Sequence, residues 1–88
     1  MDEKTFTAEL KNGGYSAPTS GELTAGTFND THTHDFSAFV LIVEGEMTVY
    51  HGDQTSTCGP GETFSLEAGT PHSEQVGPNG AKFLVGRR

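Results

Sequence analysis

The sequence predicts an all-β fold, a sandwich or small closed barrel, on three observations. Gly and Pro fall every several residues along the 88-residue chain, 12 of them Gly, so no window sustains the apolar spacing of a helix. The runs between these breaks are short and favour Thr, Val, Phe and Ile, the residues that suit a pleated, half-buried surface. The breaks recur at regular intervals, as in antiparallel folds joined by tight turns rather than in a parallel sheet.

In order, Lys4 to Leu10 alternates and is rich in Thr and Phe, reading as a strand that Lys11-Asn12-Gly13-Gly14 ends. Tyr15 to Gly21 reads as a polar loop carrying Pro18, and Glu22 to Asn29 as a second alternating strand. His32 to Val43 follows; Glu44-Gly45-Glu46 reads as a turn into Met47 to Tyr50. His51-Gly52-Asp53 is a hairpin turn into Gln54 to Cys58, and Gly59-Pro60-Gly61 is another turn. Glu62 to Leu66, Pro71 to Val76 and Ala81 to Val85 complete the set, the last two separated by Gly77-Pro78-Asn79-Gly80. There is no internal repeat or linker, and residues 1–88 are too few for two cores, so they form a single domain.

Composition narrows the function classes. Hydrophobic residues make up only 32% of the chain. A domain so small and polar is marginal alone, and a bound metal or a homodimer would supply the missing stability. The balance of 12 acidic against 5 basic residues, net −7, argues against nucleic acid and anionic membranes, which demand basic surfaces. No apolar run reaches a transmembrane length, and Met1-Asp2-Glu3-Lys4 lacks the character of a signal peptide. The single cysteine, Cys58, cannot form an internal disulfide, which fits a cytoplasmic protein.

The chemistry concentrates in Thr31-His32-Thr33-His34-Asp35. Side chains two apart on a strand share a face, so His32 and His34 project together, their attachment points roughly 6.5 Å apart. Two imidazoles so placed can converge on one metal ion held at about 2.0–2.1 Å from each nitrogen. A third, His72, follows the turn Ala68-Gly69-Thr70-Pro71. His51, in a hairpin turn, reads as exposed and inert, and Asp35 as outward.

These residues carry a resemblance to the cupins, small jelly-roll β-barrels. The first cupin motif pairs a glycine with His-x-His, a glutamate and a closing glycine; Gly26, His32, His34 and Gly45 match it, over about residues 26–45. The second joins glycine, proline, glycine, histidine and asparagine; Gly61, Gly69 and His72 match it, over about residues 61–76. Ala38 stands at the motif glutamate, Glu67 at the proline and Val76 at the asparagine. The chain therefore resembles the three-histidine cupins, which include thiol and diketone-cleaving dioxygenases. The resemblance implies a single jelly-roll barrel binding one divalent transition metal on His32, His34 and His72. Imidazole donors suit Fe(II), Zn, Ni or Cu. Three neutral ligands leave the ion its full charge and open positions, which favours a small anionic bidentate substrate such as a thiolate or enolate.

Strand parity then places the remaining residues. Phe36, Ala38, Val40 and Ile42 continue the inward face of His32 and His34. By likeness to cupins, Met47, Val49 and Cys58 also point inward, giving a cavity lined by Phe36, Ala38, Val40, Met47, Cys58, Phe64 and Phe83. Cys58 is either a thiol near the metal or plain packing. Glu74 shares the face of His72, either as a catalytic base beside the metal or as a solvated group at the barrel mouth. Asp30 is either a support for an imidazole or a turn residue. Phe39 and Leu41 face outward and need cover from the N-terminal strands or a second subunit, and because cupins often pair through sheet faces the resemblance implies a homodimer. Two functions stay open: a metal-dependent, dioxygenase-like oxidoreductase with Glu74 as proton acceptor, or a non-catalytic metal or small-molecule binding and sensing module.

Overall fold

The computed structural model describes residues 1–88. One helix, α1 (Glu3–Asn12), precedes six strands: β1 (Thr19–Leu23), β2 (Phe28–His32), β3 (Ala38–His51), β4 (Gln54–Cys58), β5 (Thr63–Leu66) and β6 (His72–Arg87). Every strand pair is antiparallel. The two long strands, β3 and β6, pair with each other; β1 and β2 add to β6, while β4 and β5 add to β3. The ladder path β1-β6-β3-β4 does not return on itself, so the sheet curls around its core without the hydrogen-bonded closure expected of a sealed barrel.

Two turns read from the sequence are bends inside continuous strands. Glu44-Gly45-Glu46 lies within β3 and Gly77 to Gly80 within β6, so four of the expected strands merge into two. The expected strand Glu22 to Asn29 is divided between β1 and β2 by a turn over residues 24–27. The β3–β6 register shifts between Ile42 and Glu44 and again between Gly45 and Met47. Such bulges bend a strand without breaking it. Gly45 (φ 79°) and Gly80 (φ 76°) supply the left-handed backbone at the bend, and a Cβ at Gly45 would run into the Gly80 carbonyl. Gln54–Cys58 is a strand as expected, reached through the hairpin turn at Gly52 and Asp53.

The N-terminal strand is corrected to a helix. The Asp2 side chain accepts from the Thr5 amide at 2.8 Å and caps the first turn. Glu3 stands in that turn and Lys11 in the last, each complementing the helix dipole. Phe6, Ala8 and Leu10 fit a period of two, but Phe6 and Leu10 also lie one helical turn apart, and these two are the buried pair. They pack with Leu41 in a cluster flanked by Tyr15, Phe39 and Leu84. Gly86 leaves the gap that the Leu10 side chain occupies. The outward face of β3 is thus covered by the chain's own helix, which removes the need of a second subunit for that purpose.

The inner face carries the main core: Ala38, Val40, Ile42, Met47, Val49, Cys58, Leu66, Val76 and Ala81. No helix is long and apolar enough to cross a membrane.

Candidate metal centre

His32 ends β2 and His72 begins β6, and the two are direct cross-strand partners, so their rings stand side by side at 4.3 Å between centroids. The expected strand from His32 is interrupted, because residues 33–37 form a connection before β3. His34 lies in it, yet its ring still comes within 4.9 Å of His32 and 5.2 Å of His72. Its backbone is fixed from across the loop: the Gly69 amide donates to the His34 carbonyl at 2.8 Å. Ser37 strengthens the same junction, its Oγ accepting from the Ala68 amide at 3.0 Å. The turn that delivers His72 therefore also locates His34.

The donor atoms of the three rings lie within 4.8 Å of one another. Nδ1 of His32 bonds the Asp30 carbonyl at 2.7 Å, and Nδ1 of His72 bonds the Thr70 carbonyl at 2.9 Å. A carbonyl only accepts, so in each neutral ring Nδ1 carries the hydrogen and Nε2 offers a lone pair, the form a metal requires. The His34 ring stacks on Phe36 at 4.8 Å and 22°. Burial, with His32 and His72 nearby, holds the His34 imidazole below its ordinary value; Arg87 acts the same way and Glu74 opposes. Three convergent imidazoles, each able to offer one ring nitrogen, fit a divalent transition-metal ion. The support from Asp30 comes through its backbone carbonyl; its carboxylate accepts from the Thr31 amide instead.

Glu74 reaches the cluster more closely than strand spacing implies. Its Oε1 lies 3.5 Å from His32 Nε2 and 4.0 Å from His72 Nε2. Donors sharing one ion at about 2.1 Å stand roughly 3.0–3.5 Å apart at octahedral to tetrahedral angles, so the carboxylate sits at the rim of the same space.

A cavity of about 290 Å³ opens beside the rings, and its lining includes His32, His34, His72, Glu74, Phe36, Ala38, Val40, Met47, Phe64 and Phe83. Leu23, Asn29, Leu66, Val85 and Arg87 line it as well, brought there by pairings that strand-by-strand parity does not contain. Cys58 lies outside this wall. It shares the inward face with its partner Met47, but is 6% exposed and packed in the core, with Sγ 3.6 Å from the Thr63 carbonyl. His51 closes β3 at its pairing with Gln54, outside the cavity lining and the histidine cluster.

The cupin domain family matches residues 20–85. No curated protein matches the chain, whereas many solved structures do. A protein of unknown function from Rhizobium leguminosarum has a TM-score of 0.77 at 19% identity, covering 99% of this chain and 94% of that one. The DMSP lyase DddQ from Ruegeria pomeroyi has a TM-score of 0.74 at 25% identity, covering 82% of this chain and 37% of the lyase. An oxalate decarboxylase variant from Bacillus subtilis has a TM-score of 0.72 at 25% identity, covering 81% of this chain. This chain spans only 20% of that decarboxylase, for which Mn(II) centres are described.

Proposed function

The chain belongs to the cupin family, and on that premise we propose that it binds one divalent transition metal on His32, His34 and His72. We propose further that it is an enzyme of the dioxygenase type, acting on a small anionic bidentate molecule such as a thiolate or an enolate. The observation that carries this reading is the convergence of three imidazole donors within 4.8 Å at an apolar cavity. The curled sheet is read as the family's jelly-roll barrel, and a lone buried thiol at Cys58 suits a cytoplasmic setting.

A bound ion would supply Lewis acidity and, as Fe(II), the capacity for dioxygen chemistry. The other roles fall to the chain. The carbonyls of Asp30 and Thr70 hold two imidazoles in the binding tautomer. Glu74, with Oε1 3.5 Å from His32 Nε2, takes the proton that a thiol or enol gives up on binding. Phe36, Val40, Met47 and Phe64 form the apolar wall of the cavity. Imidazole donors favour Fe(II), Zn, Ni or Cu, while Mn(II) serves the related decarboxylase.

A second reading, a non-catalytic metal or small-molecule sensor, draws support from Ala38. This residue puts only a methyl group into the cavity wall, so β3 offers no acidic ligand beside the imidazoles.

Elemental analysis of protein purified without chelator should find one metal per chain. His72→Ala should bring the content close to zero while leaving the fold intact by circular dichroism; an unchanged metal content would end the proposal. Oxygen uptake by the Fe(II)-loaded protein with a panel of thiols and diketones then separates the enzyme from the sensor.

A further inference from the structure

We infer that Arg87 anchors a carboxylate of the molecule bound in the cavity, so that the ligand is a small acid with a metal-chelating group at one end and a carboxylate at the other. The inference rests on the metal-and-cavity reading above and adds the chemistry of the ligand's far end.

Arg87 reaches the cavity through register. It is the cross-strand partner of Ala38, and residues directly opposed in an antiparallel pair project from the same face. Ala38 faces inward and lines the cavity, so Arg87 emerges beside it and lines the cavity too. The methyl group of Ala38 fills little of the space next to the guanidinium. A ligand carboxylate fits where a larger side chain would stand.

The guanidinium is oriented and uncommitted. Its carbon lies 4.8 Å above the Phe36 ring, and Phe36 in turn stacks on His34 at 4.8 Å. The column His34–Phe36–Arg87 therefore sets the positive group two ring spacings from a metal donor. Stacking uses the flat face of a guanidinium and leaves its N–H edge free for a bidentate carboxylate. Other cationic groups near the sheet are already engaged. Lys82 pairs with Glu44 at 3.4 Å, and Arg88 donates to the Gly13 carbonyl at 2.7 Å while lying over Tyr15. The Arg87 side chain has neither an ion pair nor a hydrogen bond, in a chain of net charge −7 with 12 acidic residues. Glu74, the acidic residue of the cavity wall, is turned toward His32 and His72 instead. Between the two charged ends, Val40, Met47, Phe64 and Phe83 suit a short hydrocarbon spine.

Two hydroxamates test this. Succinic monohydroxamic acid carries a distal carboxylate; pentanohydroxamic acid matches it in length but ends in a methyl group. Each is titrated into the Co(II)-loaded full chain and followed by the visible spectrum of the ion. The acid should bind about tenfold more tightly, in line with a charge-assisted, partly exposed ion pair, and the ratio should fall as salt rises. Arg87→Gln should bring the ratio to about one, and Arg87→Lys should keep part of it. Equal binding of both probes to the unsubstituted chain, or a ratio that survives Arg87→Gln, overturns the inference. If neither probe changes the spectrum, the open-metal reading fails, and the anchor is judged in metal-free protein. There, glutarate should shift the Arg87 Nε–H resonance while pentanamide does not, and a resonance unmoved by glutarate overturns the anchor.

Discussion

Nδ1 of His32 and Nδ1 of His72 each end on a main-chain carbonyl, and that decides which nitrogen of each ring is free. The i, i+2 spacing of His32 and His34 made them candidates, but it did not orient the rings. Cys58 shows the opposite outcome at the same scale. It shares the inward face with its partner Met47, as the position count expects, yet it packs into the core instead of lining the cavity. Burial, helped by Glu62, pushes its thiol up. The thiolate that reacts with alkylating reagents therefore forms only above the ordinary range, near pH 8.5. Native protein at pH 8 should label with iodoacetamide at least about tenfold more slowly than protein unfolded in urea, and the native rate should keep rising well above pH 9. Native labelling as fast as in urea would put the sulfur at an accessible surface.

Among the elements, α1 is the helix that packs from outside the sheet. It covers the outer face of β3 with Phe6, 0% exposed, and Leu10, 1% exposed. Phe6 and Phe39 meet at 5.0 Å between ring centroids. Removing such a ring costs roughly 3–5 kcal/mol through lost burial and the cavity left behind. Phe6→Ala should lower the urea-unfolding free energy by that order, while the folded fraction still binds one metal, because the three histidines lie on other elements. A change under about 1 kcal/mol would mean that α1 is not docked in solution. The helix was legible in part: Asp2 before Glu3, with Gly13 beyond Lys11, is a start and stop signal. Alternating Thr and Phe masked it, since Phe6, Ala8 and Leu10 satisfy both periods.

At the scale of the whole molecule, a small acidic domain gathers its donors from β2, the connection after it, and the start of β6. An ion that binds only the folded chain stabilises it by mass action, about 2.7 kcal/mol at a hundredfold excess over Kd. For a domain of this size each kcal/mol moves the melting temperature by about 4–8 °C. Saturating Co(II) or Zn(II) should thus raise Tm by about 10–20 °C, EDTA should reverse the rise, and His72→Ala should abolish it. A Tm indifferent to metal in the unsubstituted chain would count against a site that forms with the fold.

The sequence by itself determined the β character, the turns at Gly52 and Gly61, the three imidazoles and most of the apolar wall. The β character and the turns depend on local spacing, and alternation along one strand indicates which side chains share a face. His32, His34 and His72, by contrast, come from a strand end, a connection and a second strand. Tertiary structure decided what pairs with what. Gly45 and Gly80 bend two long strands where two separate turns were expected. The turn before His72 clamps the backbone of His34, and Arg87 enters the cavity because β6 aligns it with Ala38. Cross-strand register joins residues far apart in sequence, and the free energy that selects it belongs to the assembled sheet and core. No single segment carries it.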